Sequence, residues 1–180
     1  MRTQFLALIV ITVVLLAFGA VASACDGDGD GGLTLEEYFT KMDPIFSHVD
    51  AEANRIGEEA FAALDESPSV DEQIAALRSY LTGFLPVVEQ ASDDIQDLDP
   101  PAEVKDSHGT LLGAIDDFLV AGNDTLDKLD DAKTQAEVDE AAQFLFSPGA
   151  GDDITQACND LQSIAADNNI DVALNCEEDE

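Results

Sequence analysis

From Thr34 onward the apolar residues recur at steps of three and four with almost no strict alternation, the periodicity of amphipathic helices. The clearest run is Ile74, Leu77, Leu81, Phe84, Val88, Ala91, Ile95 and Leu98, whose steps alternate three and four throughout. A seam of that kind faces partner helices in a bundle. Before it, Tyr38, Met42, Ile45, Val49, Ile56, Ala60 and Leu64 form a first pattern; after it, Val104, His108, Leu111, Ile115, Phe118, Gly122, Leu126 and Leu129 form a third. Pro44 and Pro86 lie inside the first two patterns, which stay in phase across them, so each is expected to kink its helix without ending it. A fourth helix begins near Gln135, breaks at Ser147-Pro148-Gly149-Ala150-Gly151 and resumes near Asp153 with Ile154, Cys158, Leu161 and Ala165 on one face. A short tail with Ile170, Val172 and Leu174 then leads back to Cys176.

Start signals agree with this segmentation. Thr34 with Glu37, Ser69 with Glu72, and Thr134 with Glu137 each have the spacing at which a hydroxyl and a carboxylate satisfy each other's end of the first helical turn. Between the second and third helices, Asp99 can cap while Pro100 and Pro101 occupy first-turn positions, giving a tight connection. Short loops between long helices make neighbours antiparallel. The fold class expected is therefore all-α, an up-down-up-down four-helix bundle with long kinked helices and a split fourth helix. Helices of about 30 residues would make it roughly 45 Å long.

Charge changes the picture next. The 180 residues include 39 Asp+Glu against 7 Lys+Arg, a formal charge of -32. That field repels phosphates, which removes nucleic acid from the partner list, and attracts cations or a basic protein partner. It also favours a soluble monomer, and a solvated surface suited to a salty exterior accounts for it without any ligand. An apolar fraction of 46% in a chain this long supports one core, not two.

The first residues follow a different logic. Arg2 gives a positive start, Phe5 to Phe18 is almost wholly apolar, and Ala22-Ser23-Ala24 supplies the small residues of a cleavage point, so residues 1–24 read as an export signal. Val21-Ala22-Ser23-Ala24-Cys25 resembles the lipobox of bacterial lipoproteins, with Ala22 where leucine is usual. The resemblance implies lipid on Cys25 and a membrane-anchored place in the cell envelope, outside the cytoplasmic membrane. Cleavage to a secreted form and retention as an uncleaved anchor are the alternatives. Cysteine arithmetic points the same way: three cysteines leave one over after a single disulfide, and lipidation of Cys25 removes the odd one. Cys158 and Cys176 then pair, closing a loop of about 19 residues that contributes on the order of 3 kcal/mol; two free buried thiols are the alternative.

The sharpest motif is Asp26-Gly27-Asp28-Gly29-Asp30-Gly31-Gly32-Leu33-Thr34-Leu35-Glu36-Glu37, which resembles an EF-hand calcium loop. Asp26, Asp28 and Asp30 would supply oxygens, Gly31 the sharp turn, Gly32 a backbone carbonyl and Glu37 the bidentate ligand. The helix that should enter such a loop is the signal segment, which cleavage removes. The competing reading is a lipidated cysteine and flexible Asp/Gly tether at 25–33, a bundle at 34–176 and an acidic tail at 177–180, with Thr34 and Glu37 forming a cap and calcium playing no part.

The acidic tether, Leu33-Thr34-Leu35-Glu36-Glu37-Tyr38-Phe39, the Leu98-Asp99-Pro100-Pro101 turn followed by His108, and Ala157-Cys158-Asn159-Asp160-Leu161-Gln162 followed by Cys176 together resemble uncharacterised bacterial helical lipoproteins. The resemblance spans most of the mature chain and implies a helical fold; the family carries no activity to transfer.

Catalytic patterns are thin. His48 and His108 are the two histidines, and Ile45 and Lys105 stand three residues before them where a di-iron bundle needs glutamates. There is no Walker loop, no nucleophile elbow and no haem-attachment motif. Asn123-Asp124-Thr125 fits a glycosylation sequon but falls inside a helical pattern. The sequence thus predicts a membrane-tethered acidic helical module with a structural or binding role and no enzymatic activity. A calcium-responsive module using 26–37, and a small-ligand carrier or enzyme with a pocket near His108, are the alternatives.

Overall fold

The computed structural model describes residues 32–64, 68–146, 150–174 and 176, with the backbone alone for 144–146, 150 and 151. Five helices run through them: α1 (Leu35–Phe61), α2 (Val70–Gln96), α3 (Lys105–Asp131), α4 (Gln135–Phe146) and α5 (Ala150–Asp167). Among the described residues there is no strand, and the protein is all-α.

All three hydroxyl–carboxylate pairs form at helix starts. Thr34 and Ser69 each accept from the third-position amide at 3.3 Å while Glu37 and Glu72 reach back to the capping residue's own N–H at 2.9 and 2.8 Å. Glu137 does the same for Thr134 at 2.9 Å and also accepts from the Lys133 amide. α1 and α2 continue through Pro44 and Pro86. Each proline removes a backbone donor at a local cost of about 3 kcal/mol, which burial of Tyr38, Phe39, Met42 and Ile56 on α1, and of seven residues on α2, outweighs.

The connection from α2 to α3 differs from expectation. Asp99 is not a cap: α3 begins at Lys105, its N-cap is Val104, and no side chain caps it. Pro100 and Pro101 precede the helix, and a turn brings the Val104 N–H to the Pro101 carbonyl at 3.1 Å. The reason lies in burial. Val104 is fully buried, and the extra turn carries it into the core before the helix starts. The Asp99 carbonyl instead accepts the Leu33 N–H at 3.1 Å, which pins the residues entering α1 to this corner. Leu33 is half-buried against the core.

α5 starts at Ala150, earlier than the sequence suggested, and the break at 147–149 lies outside the described residues. Its end is set by Asn169, whose φ of 56° is the left-handed conformation in which a helix terminates. The Ile170 N–H reaches back to the Ala165 carbonyl at 2.9 Å and the Asn169 N–H to Ala166 at 3.0 Å, a double closure that turns the tail back along the helix. Gln162 holds that tail from both sides: its amide donates to the Val172 carbonyl at 2.8 Å and its oxygen accepts from the Leu174 N–H at 2.9 Å. The Cys158 and Cys176 sulfurs stand at disulfide distance, 2.01 Å.

The core has two parts. One joins Tyr38, Phe39 and Met42 of α1, Val88 and Ile95 of α2, Leu111 and Ile115 of α3, Cys158, Leu161 and Ala165 of α5, and Leu174 of the tail. The other joins Leu77, Leu81 and Leu85 of α2, Leu129 of α3, and Val138, Ala141 and Ala142 of α4. α4 and α5 therefore close different parts of the core, and the second part holds no α1 residue. The last turns of α1 meet rings of α2 and α3 instead, which leaves a groove beside them.

Candidate functional site

Three places could carry function: the entrance to α1, the buried histidine, and the groove beside the end of α1.

At the entrance, Cys25, Asp26, Asp28, Asp30 and Gly31 lie outside the described residues. Gly32 is exposed, with a hypothetical Cβ 3.4 Å from the Asp99 carboxylate. Glu37, the residue that would grip calcium with both oxygens, has Oε2 engaged by the Thr34 N–H at 2.9 Å and the Thr34 hydroxyl at 2.8 Å. These bonds to the Thr34 backbone and hydroxyl hold its carboxyl below the usual carboxylate range. A bidentate metal ligand would have to release part of this cap. Among the described residues no group of three or more His, Cys, Asp or Glu side chains is placed to hold a metal ion.

His108 is 6% exposed, and its Nδ1 lies 3.0 Å from the Tyr38 hydroxyl, tying α3 to α1. The rings meet edge to face at 5.8 Å. Burial pushes the histidine pKa down and the tyrosine pKa well up. Both groups are thus neutral at pH 7, and in the Nε2–H tautomer the tyrosine O–H donates to Nδ1. One to three turns further along α3, Leu111, Ile115 and Phe118 border a cavity of about 150 Å3 whose walls, from α1, α2, α3 and α5, are entirely apolar. His108 is not on its wall, and such a cavity offers no hydrogen-bond partner to a polar substrate. His48 is exposed on α1. Asn123 is exposed on α3 with its amide bonded to the Leu119 carbonyl at 2.7 Å.

The groove is the site that sequence reading missed. Phe61, Tyr80, Phe84 and Phe118 form a chain of ring contacts with centroids 5.8, 5.4 and 6.1 Å apart. Together with Ala53, Asn54, Gly57, Glu58 and Leu77 they line a depression of about 530 Å3. Phe61 is 38% exposed at the end of α1, and Glu58 is exposed one turn before it. Gly57 contributes by its missing side chain, since a Cβ there would stand 3.9 Å from the Tyr80 ring. A second depression of about 390 Å3 shares Phe61 and Leu77 and continues to Val138, Asp139 and Ala142 of α4. The signal was present as Phe84 and Phe118 on the seams and Phe61 just off one. Their convergence needed the third dimension.

These features define a class: an acidic, all-helical body with a disulfide-closed C-terminal hairpin and an aromatic groove. No protein family profile matches the chain, and searches of curated proteins and of solved structures also give no match. Among the described residues no helix is long and apolar enough to cross a membrane.

Proposed function

We propose that this protein is an exported, lipid-tethered acidic module that binds a partner in the cell envelope, with the helices arranged up-down-up-down and α4 and α5 sharing the fourth position. The pairings of α1 with α2, α2 with α3, and α3 with both α4 and α5 support that arrangement. The observation that supports the binding role is the groove: exposed Phe61 and three further rings, outside both core clusters or at their margins, line a depression of about 530 Å3, a size usual for small-molecule sites. Export and anchoring rest on residues 1–24 and Cys25, followed by a Gly/Asp spacer that reaches the body at Leu33.

The test of anchoring is detergent phase partition of cells expressing the full chain and its Cys25→Ser variant. The unsubstituted protein is expected in the detergent phase with an acyl mass on its first residue, and the variant in the aqueous phase or uncleaved. An unsubstituted protein found in the aqueous phase without added mass would overturn the lipid anchor.

A further inference from the structure

We propose that the groove beside the end of α1 is a recognition site for an organic cation, an alkylammonium group carried on a small apolar body. The inference deepens the binding role above and is independent of the lipid anchor.

The chemistry of the lining selects the ligand. Its volume of about 530 Å3 falls within the roughly 300–1,000 Å3 usual for small-molecule sites. Four aromatic side chains dominate its walls. An aromatic ring offers apolar area together with a negative face, so a cation with alkyl substituents gains from both, whereas an anion gains from neither. The charged residue on the wall is Glu58, an acid, and Asn54 is the neutral polar neighbour. Arg55, the nearest base along α1, is engaged by Glu52 at 2.6 Å and Glu59 at 2.9 Å and does not line the groove. The adjoining depression repeats the theme with Asp139 beside Phe61 and Leu77. Over the whole molecule a formal charge of -32 concentrates cations near the surface and excludes phosphate, sulfate and carboxylate ligands.

The charge alone would attract any cation equally, so the experiment separates charge from shape. Choline and its neutral isostere 3,3-dimethylbutan-1-ol are titrated into the full-length protein in detergent micelles at moderate salt, following the aromatic proton resonances. The expected result is saturable choline binding, with the alcohol about five- to thirtyfold weaker. Phe61→Ala and Glu58→Gln should each weaken choline by a similar factor, while Glu103→Gln, an equal loss of charge outside the groove, leaves it unchanged. Phe61 and Glu58 are both exposed, and an unaltered helical circular dichroism spectrum confirms that the variants fold. Equal binding of choline and the alcohol would overturn the cation assignment while leaving an apolar binding groove. Saturable choline binding that ignores both groove substitutions, or responds equally to Glu103→Gln, would overturn the site. Absence of saturation would overturn both the site and the ligand class, with the anchor untouched.

Discussion

The Tyr38–His108 pair shows how one buried hydrogen bond fixes chemistry at the residue scale. Nδ1 and the tyrosine oxygen are 3.0 Å apart inside the apolar core, and no buried side-chain nitrogen or oxygen among the described residues lacks a partner. Because burial lowers the histidine pKa below its value of 6.5 in the unfolded chain, the neutral form favours folding. The contribution is complete above 6.5 and is lost as pH falls from there through the lowered folded value. The wild type should therefore lose melting temperature as pH falls below 6.5 relative to His108→Gln, which can accept the same hydrogen bond without titrating. Thermal melts of the two proteins across this range give the comparison, and parallel curves would remove the histidine as the cause. The capping carboxylates act in a separate window. Bonds to Thr34 lower the pKa of Glu37, bonds to Ser69 that of Glu72, and bonds to the Lys133 backbone and to Thr134 that of Glu137, so their support is present above 4.5 and lost as pH falls below it.

Elements meet where small residues allow it. On α3, a Cβ at Gly122 would stand 2.5 Å from Leu85 Cδ2 and 3.3 Å from Cδ1, so α2 and α3 approach at this point because a side chain is missing. Gly113, on the same helix, has nothing within 4 Å of its hypothetical Cβ. Both would gain helix propensity as alanine, by up to about 1 kcal/mol. Only Gly122→Ala must displace a buried leucine, an overpacking cost of about 1–3 kcal/mol. Urea denaturation should find Gly113→Ala stabilised and Gly122→Ala destabilised; a stabilised Gly122→Ala would show that Leu85 has room to turn away. Gly122 was legible on the third seam. Asp99 misled because a residue able to cap and a proline pair describe a helix start only if nothing competes for the segment. Val104 competed, being buried completely, and the Asp99 carbonyl was taken by Leu33. Gln162 was not legible at all, since its two bonds run to backbone groups of a tail that is adjacent only after α5 has reversed at Asn169.

At the scale of the molecule, charge and connectivity dominate. A net charge of -32, with few ion pairs among the described residues to offset it, opposes compaction by self-repulsion. The Arg55 pairs with Glu52 and Glu59 and the Arg78 pair with Asp130 are exposed, and exposed pairs contribute about 0–1 kcal/mol each. Sodium chloride screens the repulsion over about 10 Å at roughly 0.1 M. The melting temperature should rise as salt increases from low concentration, which differential scanning calorimetry would register; a fall would mean that the pairs outweigh the repulsion.

The sequence by itself determined the helical segments, the capped starts of α1, α2 and α4, the cysteine pairing and the net acidity. Each depends on residues a few positions apart, on a count, or on composition. The tertiary structure decided which part of the core each half of the split helix covers, where His108 finds its partner seventy residues away, and that the end of α1 stands over rings from α2 and α3. Those outcomes depend on how helix faces of similar apolar character are apportioned among several neighbours, and periodicity gives each helix a face without saying which neighbour meets it.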